Sequence, residues 1–158
     1  MMTKVELLEN HPELVPLCAR WNYITWGRDG GRSREEIIDS FLGFLNSESR
    51  QKALVGFVSG LPVGLSLLID NDLETHPHLQ PWLASLYVTP EMRLIGVGKA
   101  MVEATEKIAQ QQGHQQLYLY TSETGYYERI GWQKIEELDG ENAGMWIMKK
   151  PLKKPPMI

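Results

Sequence analysis

Residues 87–100 read YVTPEMRLIGVGKA and decide the fold of this chain. The apolar run Trp82–Thr89 predicts a buried β-strand. Beyond it, Gly96–Gln112 keeps its apolar residues on one helical face, and Gly113 is a suitable glycine for the end of such a helix. The segment therefore predicts a strand, a short loop and an amphipathic helix in direct succession.

This loop predicts a phosphate site. A helix that begins directly after a loop points its unpaired backbone N–H groups and its positive dipole end at one spot. Gly96 and Gly98 carry no Cβ, so an anion can approach the backbone closely. Arg93 and Lys99 add positive charge at either end of the loop.

Two familiar phosphate motifs are excluded. A Walker A loop needs a glycine where Arg93 stands and a Ser or Thr where Ala100 stands. A dinucleotide fingerprint needs a third glycine where Met101 stands and belongs early in a β-α-β unit, whereas this segment lies past the middle of the chain.

The rest of the chain predicts further strands and helices. Strands are expected at Val5–Leu8, Lys52–Ser59, Val63–Asp70, Leu117–Tyr120, Trp132–Glu137 and Met145–Lys149. Helices are expected after His11-Pro12, from Ser33, and over Glu123–Ile130. Ser33 and Glu36 have the spacing of a capping box, and the helix that they begin should turn Ile37, Ile38, Phe41, Phe44 and Leu45 towards a core. The order β-α-α-β-β-β-α-β-α-β-β predicts an α/β (α+β) domain on a single mixed, mostly antiparallel sheet of six to seven strands flanked by helices.

Composition limits the class of protein. The chain has 158 residues, 42% of them hydrophobic, which suits one domain over residues 1–158. Its net charge of -4 favours cationic small molecules over nucleic acid as partners. A single cysteine, Cys18, excludes an intrachain disulfide and multi-cysteine metal sites, so we expect a cytoplasmic protein. No run predicts a membrane span, and no metal is expected.

Two motifs give a family resemblance. The spacing Arg93-x-x-Gly96-x-Gly98 resembles the (Arg/Gln)-x-x-Gly-x-(Gly/Ala) loop of the GCN5-related N-acetyltransferase (GNAT) superfamily. Downstream, Gly125–Trp132 reads GYYERIGW and is similar to the Phe-Tyr-Glu-Arg-Leu-Gly-Phe/Trp element of the same family. The likeness covers about residues 52–149. It implies a GNAT-like acyl-CoA N-acyltransferase fold and an enzyme that moves the acetyl group of acetyl-CoA, its co-substrate, to an amine.

The resemblance also implies where the cofactor binds. The strand Trp82–Thr89 should splay from a parallel neighbour, Leu117–Tyr120, and leave a gap for the pantetheine arm. The pyrophosphate should lie on the amides of the loop and first helical turn. The implied cofactor-binding residues are Leu86, Tyr87, Val88, Arg93, Leu94, Ile95, Gly96, Val97, Gly98 and Lys99.

By the same resemblance, Tyr127 is the expected catalytic residue. An amine that attacks a thioester expels a thiolate, and a thiol has a pKa near ~8.5. A phenol, with a pKa near ~10, keeps its proton at neutral pH and can give it to the leaving sulfur. The alternative is that Tyr127 packs between helix and sheet with its hydroxyl bonded to backbone.

The chain also departs from the family. Leu94 and Ile95 stand where relatives usually have glycine and a small or basic residue, which should make the loop stiffer and less cationic. Residues 121–124 lack the asparagine that many relatives use near the cofactor. A non-catalytic acyl-CoA sensor on the same fold is therefore the main alternative, and an unrelated nucleotide-binding domain is a third hypothesis.

The remaining reactive residues give weaker signals. Cys18 lies on an apolar helical face and is interpreted as a buried structural thiol. His76 and His78 are interpreted as loop residues, and the acidic residues Asp70, Asp72 and Glu74 as a solvated loop. The general base stays open between Glu74, His78, Glu123 and a water wire. The acceptor also stays open: aminoglycosides, polyamines, amino acids and protein amino termini all fit. Because relatives often dimerise, a homodimer is expected, with no surface assigned.

Overall fold

The computed structural model describes residues 2–153 of the chain. Seven strands form one mixed sheet, in the order β1-β2-β3-β4-β5-β7-β6. The strands are β1 Thr3–Leu7, β2 Lys52–Val58, β3 Leu61–Ile69, β4 Trp82–Val88, β5 Gln116–Thr121, β6 Gln133–Glu137 and β7 Trp146–Pro151. The α-helices are α1 Val15–Asn22, α2 Arg34–Gly43, α3 Val97–Gln111 and α4 Thr124–Glu128. The predicted fold class and element order are confirmed.

The contacts divide the chain into two compact units. The first consists of Met1–Leu68 and Ser85–Thr105. Its strands β1, β2 and β3 pair antiparallel, with a register shift at Gly56/Phe57. Its fully buried side chains include Ile37 of α2, Val55 of β2 and Met101 of α3. The helices α1, α2 and the start of α3 therefore contribute to this core.

The second unit consists of Ile69–Ala84 and Glu106–Ile158. Its strand β5 pairs antiparallel with β7, and β7 pairs antiparallel with the edge strand β6. The beginning of β4 pairs parallel with β5, with Trp82 opposite Tyr118. The core cluster of this unit consists of Leu73, Trp82, Tyr118, Leu138 and Ile147. Strand β4 has residues in both units, and the expectation of one domain over 1–158 stays a prediction.

In helix α2 the predicted N-terminal cap is present, but one predicted core residue is exposed. Ser33 caps it by accepting from the Glu36 N–H, and the Glu36 carboxylate accepts from the Ser33 N–H, so the predicted capping box is confirmed. Ile37 is buried, but Ile38 is exposed, so its prediction as a core residue was wrong. Consecutive helical residues point about 100° apart, so only one of the two can face the core.

The predicted first helix is shorter and more varied than expected. A 3-10 turn at Pro12–Leu14 precedes α1, and a π-helical turn, Tyr23–Gly27, follows it. The π-helical turn ends at Gly27, and a turn follows over residues 28–31. A Cβ at Gly27 would clash with the terminal methyl group of Ile37, so this methyl must shift before any larger residue can fit there. No helix among residues 2–153 combines the length and apolar character needed to cross a membrane.

A largely buried ion pair joins the start of β2 to the chain after β1. Lys52 Nζ lies 2.7 Å from Glu9 Oε1 and donates to the Ser47 carbonyl at 3.3 Å. We expect Lys52→Met to lower the free energy of unfolding by about 3 kcal/mol, because it leaves the Glu9 carboxylate buried without its cation. Urea unfolding followed by circular dichroism measures this change.

Lys4 provides the matched control for Lys52. Its Nζ lies 3.9 Å from Glu6 Oε2, and the lysine side chain is mostly exposed. Lys4→Met should therefore change the free energy of unfolding by less than about 1 kcal/mol. Equal losses in the two variants would show that burial of the Lys52 pair has no energetic consequence.

Candidate active site

The segment between β4 and α3 forms a compact turn followed directly by a helix. A 3-10 turn, Pro90–Met92, starts it, and the Met92 N–H donates to the Thr89 carbonyl at 2.9 Å. The Ala100 N–H donates to the Gly96 carbonyl at 3.1 Å, which is the first bond of the helical pattern. The N–H groups of Val97, Gly98 and Lys99, which lie between Gly96 and Ala100, therefore have no partner within the helix. Those unpaired donors are where an anion can bind.

The loop holds two residues in the left-handed region of backbone space. Gly96 has φ 93°, and a Cβ built there meets nothing within 4 Å. Leu94 has φ 67°, and its side chain is fully exposed. For a residue other than glycine, the left-handed backbone conformation costs roughly 1 kcal/mol of conformational free energy, because the Cβ crowds the following carbonyl oxygen. The loop thus keeps Leu94 strained and solvent-exposed at a predicted phosphate site, a combination common at ligand-binding loops.

The two cations predicted to flank the loop have partners of their own. The Arg93 Nε donates to the Val88 carbonyl at 2.8 Å, and its guanidinium lies 5.7 Å from the Tyr87 ring centre. Lys99 Nζ lies 3.8 Å from Glu103 Oε1, one turn further along α3. Arg93 therefore brings the loop and the end of β4 together within the first unit.

Strand β4 changes conformation at Ser85. This residue has φ 53°, which is rare in a strand, and its hydroxyl accepts from Asn22 Nδ2 at 3.2 Å. Leu86, Tyr87 and Val88 follow and are half-buried. The predicted parallel neighbour of β4 is confirmed by the pairing of Trp82 with Tyr118. The predicted gap between the two strands stays a prediction.

Tyr127 lies on the short helix α4 of the second unit and is buried. The Tyr127 carbonyl accepts from the N–H of Trp132 at 3.0 Å, and the two rings meet edge to face at 5.9 Å. The Tyr126 ring is also perpendicular to that of Tyr127, at 5.0 Å. Backbone and aromatic packing therefore fix the position of this phenol.

The environment of Tyr127 keeps its hydroxyl protonated. Burial raises the pKa of Tyr127 well above its ordinary value, and the negative potentials of Tyr126 and Glu123 raise it further. Within residues 2–153 its hydroxyl makes no hydrogen bond, so the alternative of a backbone-bonded phenol has no support there. The phenol of Tyr127 therefore carries its proton at neutral pH, which a general acid requires, while the raised pKa makes it a weaker acid than a free phenol.

The glycine and tryptophan that follow Tyr127 have a structural explanation. Gly131 has φ 99°, and a Cβ there would lie 2.8 Å from Lys150 Nζ. That ammonium donates to the Ile130 carbonyl at 2.6 Å and lies 3.5 Å from the Glu106 carboxylate. Trp132 is buried, and its Nε1–H donates to Glu106 at 3.2 Å. Glu106 thus ties the GYYERIGW element to α3 and β7 of the second unit.

The structure singles out a carboxylate that the sequence left among the solvated loop residues. Asp72 is half-buried, and burial alone raises the pKa of its carboxyl to about 7. Asp72 also helps to raise the pKa of Tyr120, after burial and ahead of Glu141. Nothing in the local sequence distinguishes Asp72 from Asp70 or Glu74. Asp72 is half-buried whereas Asp70 and Glu74 are exposed, so the surrounding packing removes part of its water.

The other candidate residues have simpler surroundings. Cys18 is buried as predicted, and burial raises the pKa of its thiol to about 12, which makes it a poor nucleophile. His76 Nε2 lies 2.7 Å from Glu136 Oε2, whereas His78 and Glu123 are exposed. No group of three or more potential metal ligands occurs within residues 2–153.

The predicted site residues fall into two sets. Leu86–Val88 and the loop residues Arg93–Lys99 belong to the first unit, and Tyr127 belongs to the second. Their roles in binding and catalysis stay predictions.

A central strand that leads through a glycine-containing loop into a long helix, within a mixed sheet, is the arrangement expected for acyl-CoA N-acyltransferases. The model of the acetyltransferase (GNAT) family matches residues 6–132. The chain therefore belongs to the GNAT acetyltransferase family.

Solved structures share the fold over nearly the whole chain. An aminoglycoside 6'-acetyltransferase type Ii is similar with a TM-score of 0.74 and 21% identity, covering 99% of this chain and 100% of that one. An N-acetyltransferase from Thermoplasma acidophilum in complex with coenzyme A has a TM-score of 0.63 and 23% identity, with 96% and 99% covered.

A curated relative matches part of the chain. It is an uncharacterised N-acetyltransferase of Chlorobaculum tepidum, 31% identical over 55 residues. The match spans 35% of this chain and 36% of that relative's length.

Proposed function

We propose that this chain is an acetyl-CoA-dependent N-acetyltransferase that acetylates a primary amine of a small molecule or peptide. The observation that carries the proposal is the start of α3, where the N–H groups of the first helical turn follow a glycine loop in a chain of the acetyltransferase family. An anion the size of a pyrophosphate matches such a set of donors.

In this mechanism the cofactor binds to backbone. The loop from Arg93 to Lys99 holds the pyrophosphate, and the peptide groups of Leu86–Val88 hold the pantetheine arm. Because Arg93 donates to the Val88 carbonyl, this side chain links the two binding segments and sets their spacing. Leu94 and Ile95 contribute N–H groups and apolar surface but no positive charge, so the phosphate contacts depend on the backbone.

The chemistry is direct attack within a ternary complex. The amine nitrogen forms a bond to the acetyl carbon, and the bond from that carbon to sulfur breaks. Tyr127 donates its proton to the departing sulfur, which leaves as the thiol of coenzyme A. The ammonium loses one proton to water before the attack, and the proton that the nitrogen loses afterwards on becoming an amide returns to the oxygen of Tyr127. A backbone N–H of β4 near the acetyl oxygen stabilises the negative charge that forms there.

The proposed acceptor is cationic. The chain has a net charge of -4, and an alkyl amine is an ammonium at neutral pH. One similar fold is that of an aminoglycoside 6'-acetyltransferase, and an aminoglycoside acceptor would agree with a cationic substrate here. We propose a cytoplasmic, single-domain enzyme that forms a homodimer and needs neither metal, nucleic acid nor membrane.

Two measurements test the function. Calorimetry should detect binding of acetyl-CoA to the chain, and an assay of free thiol over a panel of aminoglycosides, polyamines, amino acids and peptides should detect release of coenzyme A with at least one amine. Binding without thiol release for every amine would instead support an acyl-CoA sensor. Tight binding of ATP without binding of coenzyme A would contradict both.

A further inference from the structure

The second half of β4, from Ser85 onwards, is held by side chains as well as by the sheet. Just after β4, the Thr89 N–H donates to the Val63 carbonyl of β3 at 2.9 Å, as extended neighbouring chains do. Ser85 departs from extended geometry, because its φ of 53° lies in the left-handed region. A residue other than glycine adopts that conformation at a cost in free energy, so it persists only where the surroundings favour it.

The contact that favours this conformation of Ser85 comes from Asn22, the last residue of α1. Asn22 is buried, although amide side chains are mostly found at the surface. Its Nδ2 donates to the Ser85 hydroxyl, and among residues 2–153 no other hydrogen bond reaches that hydroxyl. Burial of an amide without a partner is unfavourable, so Asn22 is satisfied in this way only while Ser85 stays in place.

A second group of contacts joins the same helix end to the following residues of β4. The ring of Trp21, which precedes Asn22, lies 5.2 Å from the ring of Tyr87. The Arg93 guanidinium also lies over the Tyr87 ring, and its Nε bonds to the Val88 carbonyl. The end of α1 therefore contacts this half of the strand at two points, and Arg93 contacts it at a third.

We propose that Asn22 is a positioning residue that acts through Ser85. By holding Ser85 in the left-handed conformation, Asn22 sets the direction of the peptide groups of Leu86–Val88. Those groups are proposed to bind the pantetheine arm and to stabilise the acetyl oxygen, and such donors are effective only when their direction is fixed beforehand. The inference rests on the proposed function and adds a residue outside the proposed binding set.

The expected defect lies in turnover more than in affinity. The pyrophosphate is proposed to bind to Arg93–Lys99, a separate segment of the chain, so most of the cofactor affinity should survive a change at Asn22. The peptide groups after Ser85 are proposed to meet the acetyl group itself. A displacement of about 1 Å at the reacting atoms can lower a rate about 100-fold.

The decisive variant is Asn22→Leu, which keeps a similar size and removes the amide. We expect kcat to fall about 30-fold, while the Kd for acetyl-CoA rises no more than about fivefold. Ser85→Ala removes the other partner of the bond and should give the same pattern. The double variant should be no worse than either single variant, because both substitutions remove one interaction. Thiol release under saturating substrates and calorimetry measure the two quantities.

Ser66→Ala is the matched control. Ser66 lies on the neighbouring strand β3, and its buried hydroxyl shares a hydrogen bond of 2.8 Å with Thr105 Oγ1. When Ser66 is replaced, the Thr105 hydroxyl keeps its bond to the Met101 carbonyl. The control thus removes the same chemical group and one side-chain hydrogen bond, so it should lower the Tm as Ser85→Ala does and keep kcat within about twofold.

Glycine at position 85 tests the backbone conformation itself. Glycine adopts a positive φ without the steric cost of a Cβ, so it needs less help from Asn22 to hold this conformation. Asn22→Leu combined with Ser85→Gly should therefore recover turnover to within about fivefold of the unaltered chain. A loss of stability alone predicts the opposite, because glycine weakens the interior of a strand.

A measurement on the free chain tests the inference without any activity. The NMR coupling between the amide proton and the α proton of a residue depends on φ, so it reports the conformation of Ser85. In Asn22→Leu this coupling should change to the value of extended backbone. In Ser66→Ala it should stay as it is in the unaltered chain.

The outcomes separate this inference from the proposed function. Normal turnover in Asn22→Leu, or an equal loss of kcat in Ser66→Ala, would overturn the role of Asn22 and leave the acetyltransferase intact. So would additive losses in the double variant, no recovery with glycine at position 85, or an unchanged Ser85 coupling. A chain that releases no coenzyme A with any amine would refute the proposed function, and the Ser85 coupling would then decide alone whether Asn22 holds the strand.

Discussion

Replacing Tyr127 with phenylalanine should lower kcat by about 10²- to 10⁴-fold and change the affinity for acetyl-CoA by less than about twofold. The substitution removes one hydroxyl from a buried ring whose packing against Trp132 and Tyr126 does not use it. The fold and the cofactor site therefore stay intact, while the leaving thiolate loses its proton donor. Thiol release under saturating substrates measures kcat, and calorimetry measures the affinity.

Tyr126→Phe is the matched control, since it removes the neighbouring hydroxyl on the same helix and should change kcat by less than about threefold. The pH dependence gives a second check. Because the pKa of Tyr127 is raised above its ordinary value, the acid stays protonated, so kcat should not fall between about pH 8 and about pH 10. If Tyr127→Phe lowered the affinity for acetyl-CoA but left kcat normal, the assignment of Tyr127 as the general acid would be wrong.

The parts of the fold that sequence alone predicted are those with local causes. The capping box of Ser33 and Glu36 fixes the start of α2, because both hydrogen bonds join residues three positions apart. Helix α3 ends before Gly113, whose φ of 90° suits a helix-terminating glycine. The glycine loop is equally local, so its motif identified the family before any distant contact was known.

Features that depend on distant contacts were not predictable. Asp72 is half-buried whereas Asp70 and Glu74 are exposed, and its neighbour Leu73 lies in a core cluster with Trp82 and Tyr118, which are far apart in the chain. Periodicity likewise marked Ile38 as a core residue, although only the packing of α2 determines which of its apolar residues is covered.

The orientation of the Arg93 side chain could not be predicted from the sequence either. The motif predicts a cation near the phosphates, but whether its Nε bonds to the Val88 carbonyl depends on how the loop returns to β4. Local patterns thus predicted the loop that is proposed to bind the cofactor, whereas the partial burial of Asp72 became visible only in the assembled second unit.

The second large effect is expected from Gly96→Asp. The new carboxylate would stand at the beginning of α3 and accept the same N–H groups that are proposed to bind the pyrophosphate. It would also place a negative charge beside the phosphates, and two like charges about 4 Å apart near a protein surface repel by roughly 4 kcal/mol. We therefore expect the Kd for acetyl-CoA to rise about 10³-fold, as measured by calorimetry.

Gly113→Asp separates this effect from backbone strain. Gly113 has φ 90° against 93° for Gly96, and a Cβ at either position meets nothing within 4 Å, so the backbone strain should match. Gly113 follows the opposite end of α3, so its variant should bind acetyl-CoA normally. Gly96→Asn shares the size of the aspartate without its charge and should give an intermediate Kd. If all three variants bound alike, the pyrophosphate could not lie on the start of α3. Because both glycines have a positive φ, Gly96→Asp and Gly113→Asp should lose Tm to a similar extent, so an affinity lost only in Gly96→Asp would report on the site itself.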